Sequence, residues 1–259
     1  VSDPQGGWDG SSGIRPRARF RYSKIGKIRF ISHRDVARVW ERALRRSGLR
    51  VGWSGGFSPR PLLSFGLALP TGAESLGEYL EVRLDAGGPT DLAAAAALFG
   101  GLLPAGITLQ AAAILSDGAG SVQQDVTSCC WEMEVLGVTD LELKTRIEQL
   151  LGSSSLIIQR ERKGRIVKDD LRPAVRALSV LDGDRPPGTG GCRLRAELST
   201  RPRGVRPQEL LRGLGTDVVL VRACRTKQWI ERDGVRWEPL SMDGSEPGAV
   251  ALHATERAR

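Results

Sequence analysis

This 259-residue sequence is poor in the residues from which most catalytic and metal centres are made. It has two histidines, His33 and His253, and four cysteines, Cys129, Cys130, Cys192 and Cys224. An iron–sulfur cluster needs several closely spaced thiolates, and no such loop is present. Cys129 and Cys130 are adjacent, so on a strand they point to opposite faces and chelate poorly. The irregular spacing also fits no disulfide framework, and reduced core thiols are expected. Long apolar runs are missing too: nothing approaches the roughly 20 residues that span a bilayer as a helix. Residues 1–13 lack the basic-then-apolar order of a signal peptide, so a cytoplasmic placement with no membrane association is expected. Glu74, Glu78 and Glu81 do not converge by spacing and read as strand-edge charges; no metal ligands and no cofactor are expected in this chain.

What the sequence does have is positive charge, unevenly placed. The formal net charge is +8. Between Arg15 and Arg60 there are 14 Lys or Arg against only Asp35 and Glu41, a local net of +12. The rest of the chain carries 24 basic and 28 acidic residues, a net of −4. Of the 38 basic residues 32 are Arg, a bias that a GC-rich genome produces unaided; the clustering is not explained that way. A solvated face normally mixes both signs, so this segment predicts a surface for a polyanion.

The pattern along the chain places these charges. Residues 1–14 are rich in Gly and Ser and read as a disordered tail. Arg15, Arg17, Arg19 and Arg21 alternate with Pro16, Ala18, Phe20 and Tyr22, which puts the arginines on one face of a strand. Lys24-Ile25-Gly26-Lys27 reads as a turn and residues 28–31 as a short returning strand. Ser32 and Asp35 form a capping box opening a helix to about Arg46. Val36, Val39, Trp40, Ala43 and Leu44 make its buried stripe, and Arg34, Arg38, Arg42, Arg45 and Arg46 its opposite arc. Gly48 ends the helix. Strands are expected over 50–53, 62–69, 78–84 and 107–115, and an Ala-rich helix over 90–103. The order is β-α-β-β-α-β, the ferredoxin-like arrangement. Residues 116–126 read as a linker, after which the order recurs less clearly. Strands are expected over 127–136, 156–167, 192–199 and 218–231, the second doubled at Gly164. A capping box at Thr139-Asp140-Leu141-Glu142 opens one helix and Pro207 another. The expected architecture is thus α+β, with two tandem ferredoxin-like units of antiparallel sheet over 15–115 and 127–232 and a mostly disordered tail over 233–259.

Phe30-Ile31-Ser32-His33-Arg34-Asp35, Gly56-Phe57-Ser58-Pro59-Arg60-Pro61, Ser64-Phe65-Gly66-Leu67-Ala68-Leu69-Pro70 and Glu74-Ser75-Leu76-Gly77-Glu78-Tyr79-Leu80 resemble the radical-SAM-linked domain of unknown function. The resemblance covers roughly residues 17–230 and is thinner in the second half, where Asp170-Leu171-Arg172-Pro173 and Arg225-Thr226-Lys227 are its clearest pieces. Ser58 and Arg60 stand where Asn and His are more typical of that family. Its members occur fused behind a radical-SAM, cobalamin-binding module or as separate proteins. The resemblance therefore implies a stand-alone partner of a radical-SAM, cobalamin-dependent enzyme. It does not make this chain the catalyst.

Three function classes follow. The first is an accessory protein that holds RNA, such as transfer or ribosomal RNA, for that separate enzyme. Its contacts would be Arg17, Arg19, Arg21, Lys24, Lys27, Arg34, Arg38, Arg42, Arg45 and Arg60, with Phe57 stacking on a base and Arg172 and Arg225 to Trp229 extending the surface. The alternative core role for Phe57 has equal standing. Arg19→Glu or Arg38→Glu would weaken RNA binding. The second is a metal-independent endoribonuclease in which His33, set at a helix N-terminus that disfavours imidazolium, acts as general base on a ribose hydroxyl. A structural histidine at the strand-to-helix turn is the plainer reading, and His253 falls in the tail. The third is an assembly factor that binds protein only.

Overall fold

The computed structural model describes residues 16–85, 92–116, 118–162, 164–182, 191–240 and 249–251. Arg15, the expected tail over 1–14 and His253 lie outside the described residues.

Strand β1 (Arg17–Lys24) leads through a 3₁₀ turn (Gly26–Phe30) into helix α1 (His33–Arg46). The Ser32 Oγ accepts the Asp35 N–H and donates its own proton to the Asp35 carboxylate, which is the expected cap. Val36, Trp40, Ala43 and Leu44 are buried, and Gly48 leaves the helix at φ +71°. β2 (Leu63–Phe65), β3 (Glu74–Arg83), α2 (Leu92–Leu102) and β4 (Ile107–Ile114) complete the first half. Residues 28–30 form part of the 3₁₀ turn in place of a strand, with Ile31 as its extended cap, and 50–53 contribute only two isolated bridges, Val51 to Leu84 and Trp53 to Pro61.

The second half runs α3 (Val122–Asp125), β5 (Val126–Leu136), α4 (Asp140–Gly152), the hairpin β6 (Ile157–Arg162) and β7 (Arg165–Asp170), then β8 (Val175–Val180), β9 (Cys192–Ser199), α5 (Pro207–Leu214) and β10 (Val219–Arg232). The Thr139–Glu142 capping box that opens α4 is formed as read from the sequence. β8 escaped the sequence pattern because a register shift between Val175 and Ala177 breaks its period of two. The expected linker ends in α3, whose Val122 is buried.

The α+β class holds, but the two halves do not close into separate antiparallel sheets. One sheet runs β12-β4-β1-β3-β10-β5-β9-β8, with β2 also on β3 and β11 on β10. Within it each half orders its four strands alike, β4-β1-β3-β2 and β10-β5-β9-β8. The halves meet where β10 runs parallel to β3, pairing Cys224 with Glu74 and Arg225 with Ser75. Residues 233–259, expected to be mostly a disordered tail, are partly built into this sheet. β11 (Val235–Trp237) pairs with β10, β12 (Ala249–Ala251) pairs with β4, and Leu240 is fully buried. Leu240 is the apolar side chain this stretch buries, while Val235 and Trp237 stay exposed on β11.

The first core lies between the sheet and helices α1 and α2. Trp40 is its centre, with ring centroids 5.0 Å from Tyr22, 5.6 Å from Phe99 and 6.1 Å from Phe20. A second apolar cluster packs β5 and β9 against α4 and α5 and continues under the first half through Tyr79, Ala111 and Leu240. Trp40→Ala is expected to lower unfolding free energy by about 3–5 kcal/mol, since none of the surrounding rings can collapse into the space; denaturant unfolding followed by circular dichroism measures this.

Candidate anion-binding surface and the cleft at the seam

The arginines of β1 do share a face, but that face is closed. Arg19 and Arg21 are buried. Arg19 donates to Glu81 at 2.7 and 3.0 Å and to the carbonyls of Pro239 and Gly120 at 2.8 and 2.9 Å. Arg21 lies 3.1 Å from Glu238 and donates to the carbonyl of Leu240, to Gln110 and to the Tyr79 hydroxyl. Arg17 is half-buried, pairing with Glu81 at 3.1 Å and donating to the Ala119 carbonyl. Lys24 is buried and donates to the carbonyls of Arg29 and Ile31, so it pegs the 3₁₀ turn. The expectation of an open basic strand face is therefore corrected. Glu81, Glu238 and the 239–240 backbone neutralise it, and their remoteness in sequence hid them. For the same reason Arg19→Glu would set a carboxylate against Glu81 and report on stability, not on ligand binding. Arg172 is likewise structural, donating to the carbonyls of Leu151, Ser153 and Val175.

Helix α1 behaves differently. Arg34, Arg38, Arg42, Arg45 and Arg46 are all exposed, as is Lys27 on the preceding turn. Among the described residues only Arg38 of this arc has a carboxylate partner, Asp35 at 3.1 Å. Arg45 ties the helix to the loop over 54–60: it donates to the Pro59 carbonyl at 2.7 Å and lies over the Trp53 ring at 4.5 Å. The loop is closed by a backbone bond from the Ser54 N–H to the Arg60 carbonyl and by the Arg60 N–H donating to the Ser54 side-chain Oγ. Gly56 sits at φ +104° with open space where a Cβ would be, so the turn needs its backbone freedom and not close contact. The loop holds Phe57 fully in solvent, at 109% relative exposure, which removes the core role for that ring. Arg60 is exposed beside it. The structure thus joins Arg45, Trp53, Phe57 and Arg60 to the helix arc and takes Arg17, Arg19, Arg21 and Lys24 away.

His33 is exposed and meets the Phe65 ring edge-on at 4.8 Å between centroids. Among the described residues its ring has no hydrogen bond or ion pair. Lys24 and Glu78 share with it only a hollow of about 20 Å³, room for about one water molecule and not for a ribose. This placement matches a side chain that fixes the strand-to-helix turn.

The three glutamates are not strand-edge charges. Each is buried and grips arginine. Glu81 holds Arg17 and Arg19. Glu78 takes Arg225 in a two-pronged pair at 2.6 and 2.7 Å, and Arg225 also donates to the Leu67 carbonyl at 2.8 Å. Glu74 accepts from the Gly26 N–H at 2.8 Å, from Arg29 at 3.2 Å and from Arg222 at 2.6 Å. Burial opposes ionisation of Glu74, but the Gly26 N–H and the Arg222 and Arg29 guanidiniums outweigh it and hold its pKa below the ordinary 4.5.

Around these pairs, at the seam between the halves, lies a cleft of about 790 Å³. Trp131, Leu198, Ala223 and Arg225 belong to its floor strands β5, β9 and β10; the 67–73 loop, the 3₁₀ turn and the 204–208 segment that leads into and opens α5 wall it. Arg29, Phe30, Arg206 and Arg222 are further lining residues, and among the described residues no Asp or Glu lines it. Cys129 reaches the same cleft, where burial pushes its thiol up to about 11. The sequence offered little signal for this site. Its arginines are spread from 29 to 225, and the expectation that Arg225 extends the RNA surface is corrected, because the structure buries it against Glu78.

Two outcomes follow from the seam. Glu78→Gln leaves the buried Arg225 guanidinium without its counter-charge and is expected to cost about 3–5 kcal/mol of stability, measurable by urea unfolding. Glu74 has a depressed pKa in the folded state, so its stabilisation is present above the unfolded value and is lost as pH falls through the folded one. The stability difference between wild type and Glu74→Gln is therefore expected to shrink as pH drops below 4.5, read by thermal unfolding across a pH series.

No curated protein matches the chain. Among solved structures, a chain of the Cbf5-Nop10-Gar1 complex superimposes with a TM-score of 0.45 and 10% identity, over 82% of this chain and 48% of that one. The present chain thus spans about half the length of that structure. A family model, DUF2344, "Uncharacterized protein conserved in bacteria", matches residues 17–207. With most of its length matched, the chain belongs to DUF2344, a domain of unknown function associated with radical-SAM/cobalamin proteins.

Proposed function

We propose that this protein is an RNA-binding accessory factor that presents its RNA to a separate radical-SAM, cobalamin-dependent enzyme. One observation carries the RNA part: α1 and the 54–60 loop carry six exposed arginines against two carboxylates, Asp35 (paired with Arg38) and Glu41, and a fully solvent-exposed phenylalanine. Arginine neutralises phosphate and releases counterions, while an exposed ring stacks on unpaired bases of single-stranded RNA. The enzyme partner rests on the family's association with radical-SAM/cobalamin proteins. The repeated strand order supports reading the halves as two ferredoxin-like units, and the reduced thiols suit a cytoplasmic setting. Endoribonuclease action by His33 is the second reading; among the described residues Lys24 and Glu78 share a hollow with His33, and that hollow holds about one water molecule.

RNA affinity is expected to fall steeply between about 50 and about 500 mM salt. The double variant Arg42→Glu, Arg46→Glu is expected to bind at least about tenfold more weakly and with a shallower salt slope, at unchanged stability. Filter binding of a single-stranded RNA measures both. Affinity independent of salt, or unchanged in the double variant, removes the proposal, and binding of protein partners alone would favour an assembly factor.

A further inference from the structure

We infer that the cleft at the seam is a binding site for a phosphate monoester carrying a flat ring, the nucleoside monophosphate class. Its volume of about 790 Å³ lies in the range of small-ligand sites, about 300–1,000 Å³. Such sites also favour boundaries between structural units, as here.

The lining chooses the ligand. Four arginines line the cleft, Arg29, Arg206, Arg222 and Arg225. The carboxylates they touch number three, Glu74, Glu78 and Glu134, and none of these lines the cavity. Arg206 has no carboxylate partner among the described residues and is exposed. The cleft therefore keeps a cationic excess that a single phosphate complements. Arg29 comes from the first half and Arg222 from the second, and the buried Glu74 carboxylate holds both, one on each oxygen. Their geometry is set before any ligand arrives, which reduces the entropy cost of binding. Arg206 and Gln208 place the start of α5 on the same cleft, where the Arg206 guanidinium is the free cation among the described residues, since Glu209 already caps the helix end.

The rest of the lining suits an apolar body. Trp131, Leu198, Val205 and Ala223 are buried in the floor and wall. At the mouth Phe30 is 62% exposed, with the Arg29 guanidinium 4.6 Å from its ring centroid. A planar ring held by its phosphate has the part-exposed Phe30 ring beside it on which to stack. The site is separate from the α1 surface and does not depend on RNA binding there.

Calorimetric titration of AMP, GMP, CMP and UMP into the full chain at low salt tests this, with adenosine and inorganic phosphate alongside. At least one nucleotide is expected to bind about tenfold or more tightly than either fragment, the loss of one charge-assisted contact being worth about that factor. Arg206→Ala is expected to weaken it about tenfold without moving the unfolding midpoint, because that side chain is exposed. Arg42→Glu on α1 is expected to leave it unchanged. Absence of binding by all four, fragments that bind as tightly, an unaffected Arg206→Ala, or an equal loss in Arg42→Glu each overturns the inference. Failure of RNA binding at α1 would leave it standing.

Discussion

The buried pair between Glu78 on β3 and Arg225 on β10 is the contact on which the rest of the molecule depends. A guanidinium that is 2% exposed cannot be left unpaired, since an isolated buried charge costs several kcal/mol. Its carboxylate lies 147 positions earlier in the chain. Satisfying it brings β10 alongside β3, and only two residue pairs of parallel ladder are needed to join the sheets. Gln228 donating to the Gly77 carbonyl and Ser75 donating to the Arg225 carbonyl complete the seam. Polar contacts of this kind fix one geometry where an apolar seam would tolerate several.

The same logic sorts the positive charge of the first half into two populations. Arginines on β1 are inside, and each is matched by Glu81, Glu238 or backbone carbonyls arriving from distant segments. Arginines on α1 are outside, and among the described residues only Arg38 of them meets a carboxylate. The first population holds the C-terminal segment onto the sheet; the second is available to an external anion. The local net of +12 thus overstates the surface charge, because part of it is consumed in folding.

Joining the halves through charged groups also creates the cleft. Glu74 and Glu78 sit behind it, and their arginine partners are the groups that line it. Structural ion pairs and a cationic ligand site are here one construction, which is why guanidiniums reach a cavity whose floor is otherwise apolar.

Local features were legible in the sequence because their causes are local. The Ser32 and Thr139 caps, the buried stripe of α1, the exposed arc of Arg34 to Arg46, the strand alternation of β1 and the family motifs all depend on residues within a few positions of one another. What the tertiary structure decided was pairing at long range. Whether an arginine faces water or a glutamate, whether residues 235–240 hang free or cap a sheet, and whether two similar halves stand apart or share ten strands are all settled by contacts 60 to 220 positions apart. Periodicity carries no record of such distances, so the sequence specified where the arginines point but not what meets them there.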